Sequence, residues 1–372
     1  MYLSVLGKRL YVLAALGLVR GSVDGIVPFV SQDIHLFSQA GQALLAGRLG
    51  EVFIDKVTQV GPIQLALFGM NRFLSLGFGY PIQMGITVST SIGFTVALVL
   101  VCRTACRSIG RDPTPGFEMF LGLVALLGGL SYEVATSSHP AEGFIPLLWV
   151  LAAVESRRGR ASRAGLLLGV AAAMKLWGAL GIPLLLLNPS LLKVVQASLV
   201  QVAASAAAYL PFAIAGGFNT FGLTWSVKPQ SPLRLLMEPG TIFTWKMRLV
   251  QSAFIVAGGI VAALFARRSE RGFWVVPLVL VALRYLSDPL DYHYYWVSAG
   301  VIGLVAFASH VTYEPSWMRS VAAAGFYATL LPFYVMKGLP LALWITTASA
   351  GLVAIAAVQL AAETGRRDPV AP

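Results

Sequence analysis

Apolar runs dominate this chain. It repeatedly stays apolar for the roughly 20 residues that carry a helix across a hydrocarbon core, with short polar breaks between runs. Hydrophobic residues make up 57% of the 372, charged ones 12%, and mean hydropathy is +0.76. That is more apolar surface than a soluble fold can hide. The expected fold is an all-α polytopic membrane protein, a single transmembrane domain over 1–372 with no soluble domain large enough to stand alone. No cleavable leader is expected, because the first apolar segment carries Arg20 and Asp24 and lacks a clear small-residue cleavage site. Those two residues are four apart, the spacing of an ion pair on one helix face. A net charge of +11 fits cationic loops against anionic lipid, and no nucleic-acid partner is expected. Cys102 and Cys106 are too few for a metal site and poorly spaced for a disulfide, so they read as reduced thiols.

Lys and Arg gather in cytoplasmic loops, which sets orientation. The clusters are Lys8/Arg9, Arg103/Arg107/Arg111, Arg157/Arg158/Arg160/Arg163, Arg267/Arg268/Arg271 and Arg366/Arg367. Placing all of them on one side predicts about 12 transmembrane helices, two of them short, and both termini cytoplasmic. Ten full helices are expected at about 10–30, 81–102, 117–133, 140–154, 194–214, 248–266, 273–286, 294–309, 318–334 and 340–360. The stretch AGLLLGVAAAMKLWGALGIPLLLL has the length of one span, yet one span would carry Lys193 and the later clusters to the wrong side. Two short helices meeting near Lys175 and Trp177 restore the parity and explain a lysine inside an apolar run.

Residues 31–79 and 215–246 then become extracytoplasmic loops. In SQDIHLFSQAGQALLAGRL, Phe37, Ala40, Gly41, Leu44 and Leu45 recur at helical spacing, and Gly47 can end the helix. An amphipathic helix of this kind lies in the interface plane and does not cross. Asp33 stands immediately before it, either as its N-cap or as a working acid. Glu118 and Glu133 fall near helix ends and read as interfacial. The outer face collects Asp33, His35, His139, Glu142 and Lys175. It also takes Lys228, Arg234, Lys246 and Arg248 of the long loop, and Asp288, Asp291, Tyr292, His293 and Tyr294 of SDPLDYHYYW.

Four elements together resemble the GT-C membrane glycosyltransferases, especially the bacterial polyprenyl-phosphate-mannose-dependent mannosyltransferases. They are the acid after the first helix, the Gly-Pro re-entry in TQVGPIQLAL, the lysine segment after the basic loop RRGRASRAG, and the aromatic-histidine cluster SDPLDYHYYW. Relatives often carry Tyr-Pro-Pro where this chain has Val60-Gly61-Pro62, and Gly-Gln where it has Ser138-His139-Pro140. The resemblance implies an inverting transfer of a sugar, mannose first, from a polyprenyl-phosphate donor to an extracytoplasmic glycolipid or glycan. Its setting would be the bacterial cytoplasmic membrane, with the active site on the outer face.

That reaction asks for a base within hydrogen-bond reach of the acceptor hydroxyl, and Asp33 is the candidate, with His293 able to share or relay the proton. The departing phosphate asks for cations, led by Lys175 and followed by Arg234, Lys228, Lys246 and Arg248. His35, His139, Glu142, Trp177, Tyr292 and Tyr294, with Trp225, are candidates for contacting sugar or acceptor. Asp288 and Asp291 with His293 make at most a weak divalent-cation site, and a monophosphate donor can be met by Lys and Arg alone, so no metal or other cofactor is expected. Two alternatives stand beside the enzyme. A transporter would use ionisable groups such as Lys175 and Arg284 at mid-membrane, although the sequence lacks matched repeats. An inactive assembly subunit would keep the fold without the chemistry.

Overall fold

A computed structural model of the chain describes residues 2–26, 32–127, 129–229, 231–269, 272–290 and 292–313. The helices expected at about 318–334 and 340–360, and Asp291, lie outside the described residues. Of the described residues, 79% are helical. Their only strands are Trp225–Ser226 and Ile242–Phe243, a short antiparallel pair in the long loop. In chain order the helices are α1 (Tyr2–Ile26), α2 (Gln32–Leu45), α3 (Leu49–Val52), α4 (Pro62–Phe78), α5 (Ile82–Ser108), α6 (Pro115–Leu127), α7 (Leu130–Thr136), α8 (Ala141–Arg157) and α9 (Ala161–Met174). A tightly wound 3-10 segment, Leu176–Leu187, leads to α10 (Leu191–Ala215), α11 (Trp245–Ala266), α12 (Gly272–Ser287) and α13 (Trp296–Tyr313). Among the described residues, α5, α10 and α11 are each long and apolar enough to cross a membrane, and α6 with α7, bent by 50°, would make a fourth such span. This is the composition of an all-α membrane protein. The outer faces of α10 and α11 leave Leu192, Val195, Leu199, Val250 and Phe265 exposed, as lipid-facing helices do.

Small residues let the helices close on one another. Along α1, Gly17, Gly21 and Gly25 repeat every fourth position on the face that meets α5. A Cβ at Gly21 would lie 2.6 Å from Val88 Cα, so only glycine permits this approach. The Thr87 hydroxyl then donates across the seam to the Gly21 carbonyl at 2.7 Å. Farther along α1, Arg20 donates to Asp24 at 2.8 Å, as their spacing predicts.

Ion pairs mark two distinct ends of the bundle. At the first, Glu118 on α6 is buried and takes Arg9 of α1 and, at 3.4 Å, Arg103 of α5. This corrects two expectations. Glu118, near its helix end as expected, is buried instead of exposed, and Arg103 lies within α5 and not in a loop, because the glutamate needs cations once helix packing removes it from water. Arg267 reaches the carbonyls of Asn188 and Pro189 at this same end, at 3.1 and 2.6 Å. The second end gathers the start of α2, the turn between α7 and α8, the start of α11 and the corner between α12 and α13.

Between α9 and the 3-10 segment the chain reverses. Gly181 comes back beside Leu168, and the Trp149 indole of α8 donates to the Gly178 carbonyl at 2.9 Å. The fourteen residues of α9 rise about 21 Å at 1.5 Å per residue, short of the roughly 30 Å core. The turn at Lys175 is the tip of a hairpin whose first arm is shorter than a full span. Replacing Gly21 with leucine is expected to prise α1 from α5 and to destabilise the protein by about 1–3 kcal/mol. Thermal unfolding in detergent measures this, and unchanged stability would remove the seam from the fold.

Candidate active site

The break at Lys175 is where the site begins. Lys175 is extended, with φ −163° and ψ 140°, so the last carbonyls of α9 lose their helical partners. Other elements supply donors. The Gly61 N–H donates to the Met174 carbonyl at 2.7 Å, the Tyr209 hydroxyl to Ala172 at 2.9 Å, and the Gly178 N–H to Lys175 at 2.8 Å. A Cβ at Gly61 would sit 2.1 Å from the Ala173 carbonyl. The Gly-Pro element thus starts α4 and presses against the hairpin tip because it has no side chain.

From that tip Lys175 reaches Glu142, in the first turn of α8. Its Nζ donates to Oε1 at 3.1 Å. Arg284 of α12 takes the same carboxylate in a two-pronged grip, Nη1 to Oε2 at 2.7 Å and Nη2 to Oε1 at 3.3 Å. The Ser298 hydroxyl of α13 donates to the Glu142 carbonyl at 2.8 Å. All three charged groups are withdrawn from water, and the Arg284 guanidinium is stacked 4.1 Å above the Trp177 ring and 4.6 Å from that of Tyr295. One carboxylate shared by two cations leaves one positive charge in excess.

Asp33 approaches from α2. It falls in the first turn of that helix and not at its cap. Ile34, Phe37, Ala40 and Ala43 bury the neighbouring face against α4, while Leu45 stays exposed. His139 Nε2 lies 3.3 Å from Asp33 Oδ2. The imidazole is fixed by its setting. Ser138 before it takes a left-handed φ of 64°, rare for a residue with a side chain, and Gln64 of α4 donates to the Ser138 carbonyl at 2.9 Å. Tyr294 covers the ring at 4.5 Å, and Tyr292 stacks on Tyr294 at 5.2 Å with planes 8° apart. The hydrogen bond from His139 holds the Asp33 carboxyl below its ordinary range, with Lys175 adding to the effect. Burial, helped by Lys175, pushes the His139 imidazolium down, so the ring is neutral at pH 7 and faces the carboxylate with its N–H.

A third acid closes the outer rim. Asp288 receives Arg248 through two contacts, 3.0 and 3.4 Å, and Arg248 stacks on Trp225 at 4.4 Å. The long loop is tied to this corner. Lys228 N–H donates to the Pro289 carbonyl at 2.9 Å, and the Ser231 hydroxyl donates to that of Asp288.

Of the residues expected from the sequence, Asp33, His139, Glu142, Lys175, Trp177, Tyr292, Tyr294 and Arg248 converge here. His35 projects from the exposed side of α2, and Lys228 and Arg234 are exposed on the loop, Arg234 donating to the Pro229 carbonyl at 2.9 Å. The His293 side chain lies outside the described residues. Asp288 is engaged by Arg248, and among the described residues no group of three His, Cys, Asp or Glu is placed to hold a metal ion. Arg284 is the principal addition, and an arginine inside VVPLVLVALRYL was the signal for it. No protein-family model matches the chain, and no curated protein matches it.

Because folding lowers the His139 pKa, the unfolded chain takes up a proton near pH 6.5 that the folded chain refuses. Stability is expected to fall as pH drops from 7 to 5. The substitution His139→Asn removes part of that slope. Unfolding temperatures at each pH test it, and an unchanged slope in the variant would place the titration elsewhere.

Proposed function

We propose that this protein is an inverting glycosyltransferase that takes a sugar, mannose first, from a polyprenyl-phosphate donor and passes it to a glycolipid or glycan. The reading adds that the chain belongs with the GT-C enzymes, sits in a bacterial cytoplasmic membrane with both termini inside, and works on the extracytoplasmic face. What supports it is one convergence: an ionised carboxylate, Asp33, oriented by a neutral His139, lies within electrostatic reach of Lys175, which shares the carboxylate of Glu142 with Arg284 so that one positive charge is left over.

In this scheme the acceptor hydroxyl gives its proton to Asp33. Its oxygen attacks the anomeric carbon from the face opposite the phosphate, a new C–O bond forms, and the bond to the phosphate oxygen breaks with its electron pair. The configuration inverts. Lys175 and Arg284 stabilise the negative charge that gathers on the phosphate, an interaction strengthened by exclusion of water. Tyr292, exposed and backed by the stacked ring of Tyr294, offers its outward face to a sugar ring.

A transporter is the second reading, because the interrupted segment at Lys175 is also the way transporters build mid-membrane sites. Radiolabelled polyprenyl-phosphate mannose with a membrane glycolipid extract separates the two. The enzyme makes labelled glycolipid and free polyprenyl phosphate, whereas a transporter leaves the sugar–phosphate bond intact. Asp33→Asn is expected to lower transfer about 10²- to 10⁴-fold while donor binding persists, and near-normal turnover would end the assignment of the base. Lys175→Ala is expected to weaken donor binding roughly 10- to 100-fold, measured by titration, with equal affinity counting against the phosphate role.

A further inference from the structure

The other end of the bundle holds a second charged assembly that the transfer reaction does not use. Glu155, near the end of α8, is buried and receives three arginines: Arg158 at 3.0 Å, Arg160 at 3.2 Å and Arg163 at 3.8 Å. Two come from the turn into α9 and one from its first helical turn. Gly159, with φ 72°, makes that turn, and its missing side chain leaves room for a fourth cation. Lys193 of α10 sets its Nζ 3.0 Å from where a Cβ at Gly159 would stand. Gln196 of α10 donates to the Ser162 hydroxyl at 3.3 Å, holding the two helices together beside it. Among the described residues Glu155 is the only acid in ion contact with these cations. Four positive charges against one negative leave three in excess, and Arg163 is 71% exposed.

Apolar surface begins directly beside this patch. Leu192, just before Lys193, and Val195 and Leu199 after it line the exposed side of α10, a helix with the length and composition of a membrane span. A cation cluster at the edge of a lipid-facing helix surface matches a molecule with an anionic head and apolar chains. We propose that Arg160, Arg163 and Lys193 bind the headgroup of an anionic phospholipid, whose acyl chains lie along α10. Glu155 holds Arg158 and Arg160 in place while most of the Arg163 guanidinium and the Lys193 ammonium face outward. Juxtamembrane cations each add to the attraction for an anionic headgroup.

The test uses the full chain in a neutral detergent. Phosphatidylglycerol or phosphatidylcholine is titrated in, with bound lipid read by native mass spectrometry and unfolding temperature read in parallel. Phosphatidylglycerol is expected to bind and raise the unfolding temperature, and phosphatidylcholine to bind far more weakly. The variant Arg160→Gln/Arg163→Gln/Lys193→Gln changes only exposed side chains and is expected to lose about a hundred-fold in affinity, while Lys193→Gln alone loses about five-fold. Equal binding of both lipids would overturn the proposal, as would unchanged affinity in the variants. Inorganic phosphate forms a separate arm, and equal stabilisation by phosphate alone would assign the cluster to a free anion and sink the lipid site.

Discussion

The structure depends on the sharing of one carboxylate between two buried cations. Lys175 and Arg284 lie in a bundle built from apolar helices, where an isolated charge costs several kcal/mol even after relaxation. Glu142 pairs with both, through contacts of 3.1 Å to one and 2.7 and 3.3 Å to the other. These contacts also join α8 to the hairpin tip and to α12, while Ser298 brings in α13. Stripping a partner from a buried ion pair costs about 3–5 kcal/mol, a large share of the roughly 5–15 kcal/mol that holds a typical domain together. The three charges therefore stand or fall together, and four elements with them.

The backbone around Lys175 obeys a related constraint. Irregular chain at membrane depth survives only where its polar groups find partners inside the protein. Here particular residues meet several of these groups. Gly61 and Tyr209 serve the end of α9, Trp149 serves Gly178, and the Ser156 hydroxyl serves Leu185 at 3.0 Å. The hairpin keeps a lysine away from bulk water because its neighbours have replaced that water with fixed donors. Asp33 and Lys175 are brought to one place by the same contacts, since α4 carries both Gly61, against the hairpin, and Gln64, against the turn that bears His139.

Much of this could be read from residue order. Apolar length gives the helices, and the parity of the basic clusters gives a reversal at Lys175, because both follow from the cost of placing charge or bare backbone in lipid. The Gly17-Gly21-Gly25 repeat was equally legible as a close helix contact, although hydropathy alone passes over it. The partners of buried charges are another matter. Glu118 meets Arg9, 109 positions away, and Glu142 meets Arg284, 142 positions away. No local period encodes such pairs, so Glu118 reads as interfacial and Arg284 as a mid-membrane ionisable group without a named partner until the helices are packed. His35 stands apart from Asp33 for a simpler reason. On a helix, neighbours in sequence point about 100° apart, and Asp33 and His35 do not share a side.

In the proposed reaction this arrangement has a direction. The intact donor is a phosphodiester with one negative charge, and Asp33 carries another. After transfer Asp33 holds a proton and is neutral, while the released phosphate monoester carries nearly two charges. The total is unchanged, and what moves is the location of one negative charge, from the carboxylate beside a neutral imidazole to an oxygen beside Lys175 and Arg284. Only interactions that strengthen along this path speed the step. A positive surplus fixed at the phosphate end strengthens as charge arrives there, whereas a neutral His139 holds the charge at Asp33 by a hydrogen bond alone, with no full countercharge. The shared carboxylate of Glu142 sets that asymmetry, because it cancels one of the two cations and leaves the other for the leaving group.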